Sequence, residues 1–262
     1  MLFHLSTPLL ALVLLLPIAG SAVGGLLLGR SRQTHHFGLK ESSGVLQGVL
    51  LGFMGLVLAF ALSLALGRYD DRRAAVVNDA NSIGTTYLRA QTLAEPERSQ
   101  SLALLKKYTD VELRLTLDEP GSADADRTIA DGSALQRQLW AIAAQAVREQ
   151  PTATAPKLYE ESLNDTIDQQ TVRTSGLANR VPTEVLLLEI IGAALAMFLL
   201  GLYVGFLGRG FIPLLLAAGL VTMLLFVTFD LDRPTRGLIK VPDTPLVSLR
   251  ASMDEPPAAG PD

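Results

Sequence analysis

The sequence predicts an all-α membrane protein: four transmembrane helices in two hairpins, with a helical cytoplasmic insertion between them. Two observations carry this. Four apolar runs, at about 8–29, 44–67, 185–208 and 211–229, approach or exceed the ~20 helical residues that cross a bilayer. Charge is also segregated: only Arg30, Arg32, Lys40 and Glu41 are charged in the first 67 positions, whereas 31 charged residues crowd 68–183. In lipid the backbone satisfies its own hydrogen bonds, so such runs are helices. None shows the ten-residue alternation of a membrane β-strand.

The whole chain has 262 residues, 49% hydrophobic and 18% charged, and a mean hydropathy of +0.33. A net charge of −4 with no basic stripe argues against nucleic acid as a partner. Cysteine is absent, which excludes disulfides, thiolate metal sites and a cysteine nucleophile. The three histidines are His4, His35 and His36. A lone His35-His36 pair on a short loop is a weak metal signal, and no metal or other cofactor is expected. Phosphate-cradling glycine loops, zinc-protease signatures and serine triads are missing. The reading is therefore not an enzyme.

The first run lacks the basic leader of a signal peptide, since no Lys or Arg precedes Arg30. It reads as a retained span kinked at Pro17. A short loop, 30–43, joins it to the second run, and Arg209-Gly210 joins the last two. The predicted divisions are thus a first hairpin over 1–67, a helical domain over 68–183, a second hairpin over 184–230, and a tail over 231–262 that is disordered from Asp254. Nine cations flank the block side (Arg68, Arg72, Arg73, Arg173, Arg180, Arg233, Arg236, Lys240 and Arg250) against Arg30, Arg32, Lys40 and Arg209 opposite. Positive charge favours the cytoplasm, which places both termini and the block inside.

Within the block, the second span continues outward over 68–93 with no breaker. Leu104, Tyr108, Val111 and Leu115 form one helical face. Asp118 to Ser122 breaks the chain. Leu135, Leu139, Ile142 and Ala146 mark a further amphipathic helix, Pro151 to Pro156 a loop, and Tyr159, Leu163 and Ile167 a last one.

Span two holds the candidate site. Gly48, Gly52, Gly55 and Ala59 form a small-residue stripe suited to close helix packing. Phe53, Val57, Phe60 and Leu64 form a second stripe. That stripe is either lipid- or bundle-facing, or, with several copies around an axis, the hydrophobic constriction of a pore. Further small pairs are Gly20/Gly24, Gly25/Gly29 and Gly201/Gly205. Glu189 is the ionisable residue well inside a span. It is either an interfacial group paired with Arg180 or a functional intramembrane acid. Two mixed-sign clusters mark span exits: Arg68, Asp70, Asp71, Arg72 and Arg73, and Asp230, Asp232 and Arg233. They serve as inter-helix ion pairs, as snorkelling groups, or as an anion-attracting inner mouth.

The segments GFMGLVLAFALSLALGRYDDRRAAVVNDANSIGTTYLRA (52–90) and FDLDRPTRGLIKV (229–241) resemble the bestrophin-like family of bacterial membrane proteins. That family shows an R-Y-x-x-R-R span exit, an I-G-T-x-Y-L-R segment and a D-L-D-R-P-x-x-G-L motif. The chain departs from it at Asp79-Ala80-Asn81, where the family pattern has Glu-Ala-Asn. Resemblance to the bestrophin anion channels is more distant. It implies a homo-oligomer, a pentamer in those channels, around an anion pore lined by span two, in the bacterial inner membrane. The other reading is a non-conducting anchor or sensor whose helical domain binds a cytoplasmic protein partner through the face of Tyr108 and Val111.

Overall fold

The computed structural model describes residues 5–32, 37–208 and 211–256. The His35-His36 pair and Arg209 lie outside these residues. Eight helices are present among the described residues, and no strand: α1 (Thr7–Ser31), α2 (Phe37–Ala90), α3 (Glu97–Leu115), α4 (Ala123–Glu149), α5 (Thr154–Ala178), α6 (Thr183–Phe206), α7 (Ile212–Leu231) and α8 (Thr244–Ser252). Four of them are long and apolar enough to cross a membrane. The second span is the first part of α2, which runs on unbroken to Ala90. Pro17 lies inside α1 without ending it.

The chain forms two compact units, residues 1–69 with 180–240, and residues 70–179 with 241–262. The first is the apolar unit. Leu10, Leu14, Ile18, Ala22 and Leu26 recur every four residues along α1 and are buried against Leu186, Ala193 and Met197 of α6 and Leu214, Ala218, Leu225 and Phe229 of α7. The expected hairpin pairs are not the tightest pairs. The most extensive helix packing joins α1 to α6, distant in sequence, and α1 also packs on α7. The reason is glycine. A methyl added at Gly25 or Gly29 of α1 meets the carbonyls of Phe198 or Leu202, and one at Gly201 or Gly205 of α6 meets those of Ala22 or Leu26. Backbone thus lies directly on backbone, the arrangement small residues allow in membrane helices. Gly20 and Gly24 meet nothing.

The second unit is built on the remainder of α2 with α3, α4, α5 and α8. Its core joins Val76, Ile83 and Tyr87 of α2 to Leu105 and Tyr108 of α3, Leu139 and Ala143 of α4, Tyr159 and Leu163 of α5, and Leu246 of α8. The breaker at 118–122 works as a helix start: the Ser122 side chain accepts a hydrogen bond from the Ala125 amide at 3.1 Å, capping α4. The Pro151–Pro156 loop is shorter than expected, because α5 begins at Thr154 and takes Pro156 into its first turn, where no backbone donor is needed.

The tail departs from expectation. Instead of lying apart from the block, 241–256 belongs to the second unit, with Leu246 and Met253 in its core. Asp254, expected to open a disordered end, pairs with Lys106 at 3.3 Å and Arg250 at 2.8 Å. Residues 180–183 and 231–240 belong instead with the apolar unit.

Candidate functional site

α2 meets the rest of the apolar unit through one face. Met54, Leu58, Ala61 and Ala65, spaced four, three and four, are buried. Met54 lies on Gly192 of α6, and Tyr203 of α6 on Gly44. The Phe53 stripe points away from that face. Phe53 is 59% exposed, Phe60 67% and Leu64 47%, while Val57 is half-buried. The small-residue stripe is exposed too. Gly48, Gly52, Gly55 and Ala59 lie open, and a methyl added at any of these glycines meets nothing. The close packing expected of that stripe is therefore not made within one protomer; the glycines of α1 and α6 make it instead.

The two charged clusters prove different in kind. In the first, Asp70, Asp71 and Arg73 are exposed and Arg68 is half-buried, whereas Arg72 is buried and caps the end of α5. Its Nε donates to the Gly176 carbonyl at 3.2 Å and its Nη2 to that of Asn179 at 2.7 Å. In the second, all three members are buried. One Asp230 oxygen accepts from the backbone amides of Leu238 and Ile239, at 2.8 and 2.9 Å. Gly237, at φ +119°, makes the fold-back possible, since a side chain there would be strained and would strike Asp230. Asp232 accepts from the Val181 amide at 2.9 Å, and Arg233 donates to the Leu5 carbonyl. The D-L-D-R segment therefore ties three pieces of backbone to the end of α7 by charge-assisted hydrogen bonds.

Glu189 is fully buried, and neither carboxyl oxygen accepts a hydrogen bond, so it is not hydrogen-bonded to Arg180. The meetings of Gly44 with Tyr203 and Gly192 with Met54 set the antiparallel register of α2 and α6. That register puts Glu189 level with Val57 and Leu58. A buried acid without a donor in apolar surroundings is costly, and residues of that kind mark functional positions in membrane helices.

Sequence reasoning missed the polar heart of the second unit. Arg173 on α5 is buried between two buried acids, its Nη1 donating to Asp79 on α2 at 2.7 Å and to Glu112 on α3 at 2.6 Å. Its Nη2 reaches the Glu112 carbonyl at 3.0 Å. Gln170 donates to the other Glu112 oxygen at 2.7 Å. Gln136 on α4 donates to Gln170 at 2.7 Å and to the Tyr108 hydroxyl at 3.1 Å. Burial pushes the Glu112 carboxyl up to about 7, Asp79 adding to the rise and Arg173 opposing it. Burial raises Asp79 as well, again against Arg173. The available signal was a set of charged or amide residues on the core-facing side of otherwise amphipathic helices. The face of Tyr108 and Val111, expected as a docking surface, is buried in this core.

This arrangement matches a known family. A model of the Bestrophin-like domain matches residues 11–246. The fold is shared with solved structures of a bacterial bestrophin homologue from Klebsiella pneumoniae in single-mutant forms. One aligns with a TM-score of 0.67 at 12% identity, over 90% of this chain and 97% of that one. Another gives 0.66 at 13%, over 90% and 93%. No curated protein matches the chain. The chain is a helical membrane protein of a bestrophin-like fold. It belongs to the Bestrophin-like domain family.

Proposed function

We propose that this protein is the subunit of a passive, anion-selective channel in the bacterial inner membrane, with both termini cytoplasmic. Several copies surround an axis, five by resemblance to the bestrophins, and α2 lines the path. The observation that carries this is the outward face of α2. Phe53, Phe60 and Leu64 are large, apolar and turned away from the protomer's own core, beside an open small-residue stripe. Around an axis, such residues with Val57 form a narrow hydrophobic ring that gates by wetting and drying. Arg68 and Arg73 draw anions to the inner mouth. Arg72, Asp230, Asp232 and Arg233 hold the backbone around that mouth. The excess of cations on the block side supports the orientation.

Purified protein in salt-loaded liposomes tests the reading. Anion flux is expected, and Phe60→Ala should change it severalfold. Because Phe60 is two-thirds exposed in the protomer, the substitution should leave thermal stability nearly unchanged. Absence of flux across pH, Ca²⁺ and voltage, or flux indifferent to both Phe53→Ala and Phe60→Ala, would remove α2 from the pathway.

A further inference from the structure

Two carboxyls share one guanidinium in the core of the second unit, and the channel reading does not use them. Asp79, Glu112 and Arg173 are each at most 2% exposed. With both acids ionised, the cluster carries a net negative charge in a place without water, which is strongly unfavourable. With one proton added, it is neutral.

The hydrogen bonds show where there is room for that proton. Both Glu112 oxygens accept: one from Gln170, the other from Arg173. Asp79 Oδ2 accepts from Arg173. Asp79 Oδ1 is buried and has no hydrogen-bond partner. It is the open position among the four carboxyl oxygens. The other groups facing the cluster are accounted for. α3 presents Tyr108, whose hydroxyl bonds to Glu112 and whose proton is held far above neutral pH by burial and the two acids. α4 presents the Gln136 amide, packed close where Gly132 leaves space for Gln170. On α2, Arg72 is held by the carbonyls of Gly176 and Asn179. α8 presents Met253, whose sulfur meets Thr109.

We propose that Asp79, Glu112 and Arg173 form a proton-binding site that holds a single proton between the two carboxyls and, on releasing it, loosens the joint of α2, α3 and α5. The pair titrates as a unit, so the proton belongs to the pair rather than to one residue. The direction follows from burial. Both acids are raised above their unfolded values, Glu112 to about 7. The stabilisation is therefore complete in acid, below the unfolded carboxyl range, and is lost as pH rises through about 7. A rise in cytoplasmic pH weakens the joint, and a fall tightens it.

The full-length protein in detergent serves for the test. A difference infrared spectrum across neutral pH should show the carbonyl stretch of a protonated carboxyl vanishing along a one-proton curve, tenfold in the protonation ratio per pH unit. The band should disappear in Asp79→Asn and in Glu112→Gln and survive in Glu189→Gln, which removes the other buried acid. Thermal unfolding followed by Trp140, the sole tryptophan and a neighbour of Gln136, should shift to lower temperature as pH rises in the native protein. The shift should be flat in whichever of the two variants folds. A native protein without the band or the shift, or a transition that survives Asp79→Asn and Glu112→Gln, or one that vanishes in Glu189→Gln, overturns the proposal.

Discussion

Asp230 and Arg173 show how much work single buried charges do here. Asp230 is fully buried, yet one of its oxygens satisfies two backbone amides. Asp230→Ala leaves both amides without an acceptor. At about 1–3 kcal/mol for each buried group left unpaired, the substitution should lower the stability of the apolar unit clearly. Thermal melts in detergent would read it, with the exposed Asp70→Ala as the near-neutral control. Arg173 is the more severe case. Arg173→Met strips two buried carboxyls of their common partner, and breaking a buried pair from one side costs about 3–5 kcal/mol. At neutral pH the variant should be badly destabilised, and acid should recover part of the loss by neutralising the orphaned acids.

At the scale of the element, glycine position decides which helices pair. The small-residue patterns on α1, α2 and α6 look alike in sequence, but only some are used inside the protomer. Gly201→Leu drives a branched side chain into the backbone of α1 near Ala22. Overpacking of this kind costs about 1–3 kcal/mol even where neighbours yield, and backbone yields least. Gly48→Leu enters open space. The first should reduce folded yield and melting temperature; the second should leave both unchanged in isolated protomers. Equal damage from both would contradict the packing of α1 on α6. α8 carries the opposite lesson. Its nine residues fold because Leu246 and Met253 have a core to enter, not because the helix is strong by itself.

For the whole molecule the open question is what covers α2. The chain has no cysteine, so a single introduced thiol reports on one position. If the small-residue stripe of α2 faces a neighbouring copy, Gly52→Cys should yield covalent dimers on mild oxidation in membranes. The bond demands Cα atoms within about 7 Å. Leu16→Cys, on an exposed position of α1, should yield fewer. Monomers alone from both, together with a monomeric native protein by chemical cross-linking, would end the channel reading.

The sequence by itself determined the four spans, the helical character of the insertion and the continuation of span two beyond the membrane. These follow from hydrophobic length and from helical period, which are properties of neighbouring residues. It also marked the two motif blocks and Glu189 as unusual. Only the tertiary structure decided which face of α2 turns outward, that α1 pairs with α6, and that Arg72, Asp230, Asp232 and Arg233 hold backbone groups. The Asp79–Arg173–Glu112 cluster is the clearest case: its members are separated by 94 and 61 positions. A charged residue on a helix reads as solvated until the partner that satisfies it is found, and that partner is supplied by the packing of distant helices rather than by any local pattern.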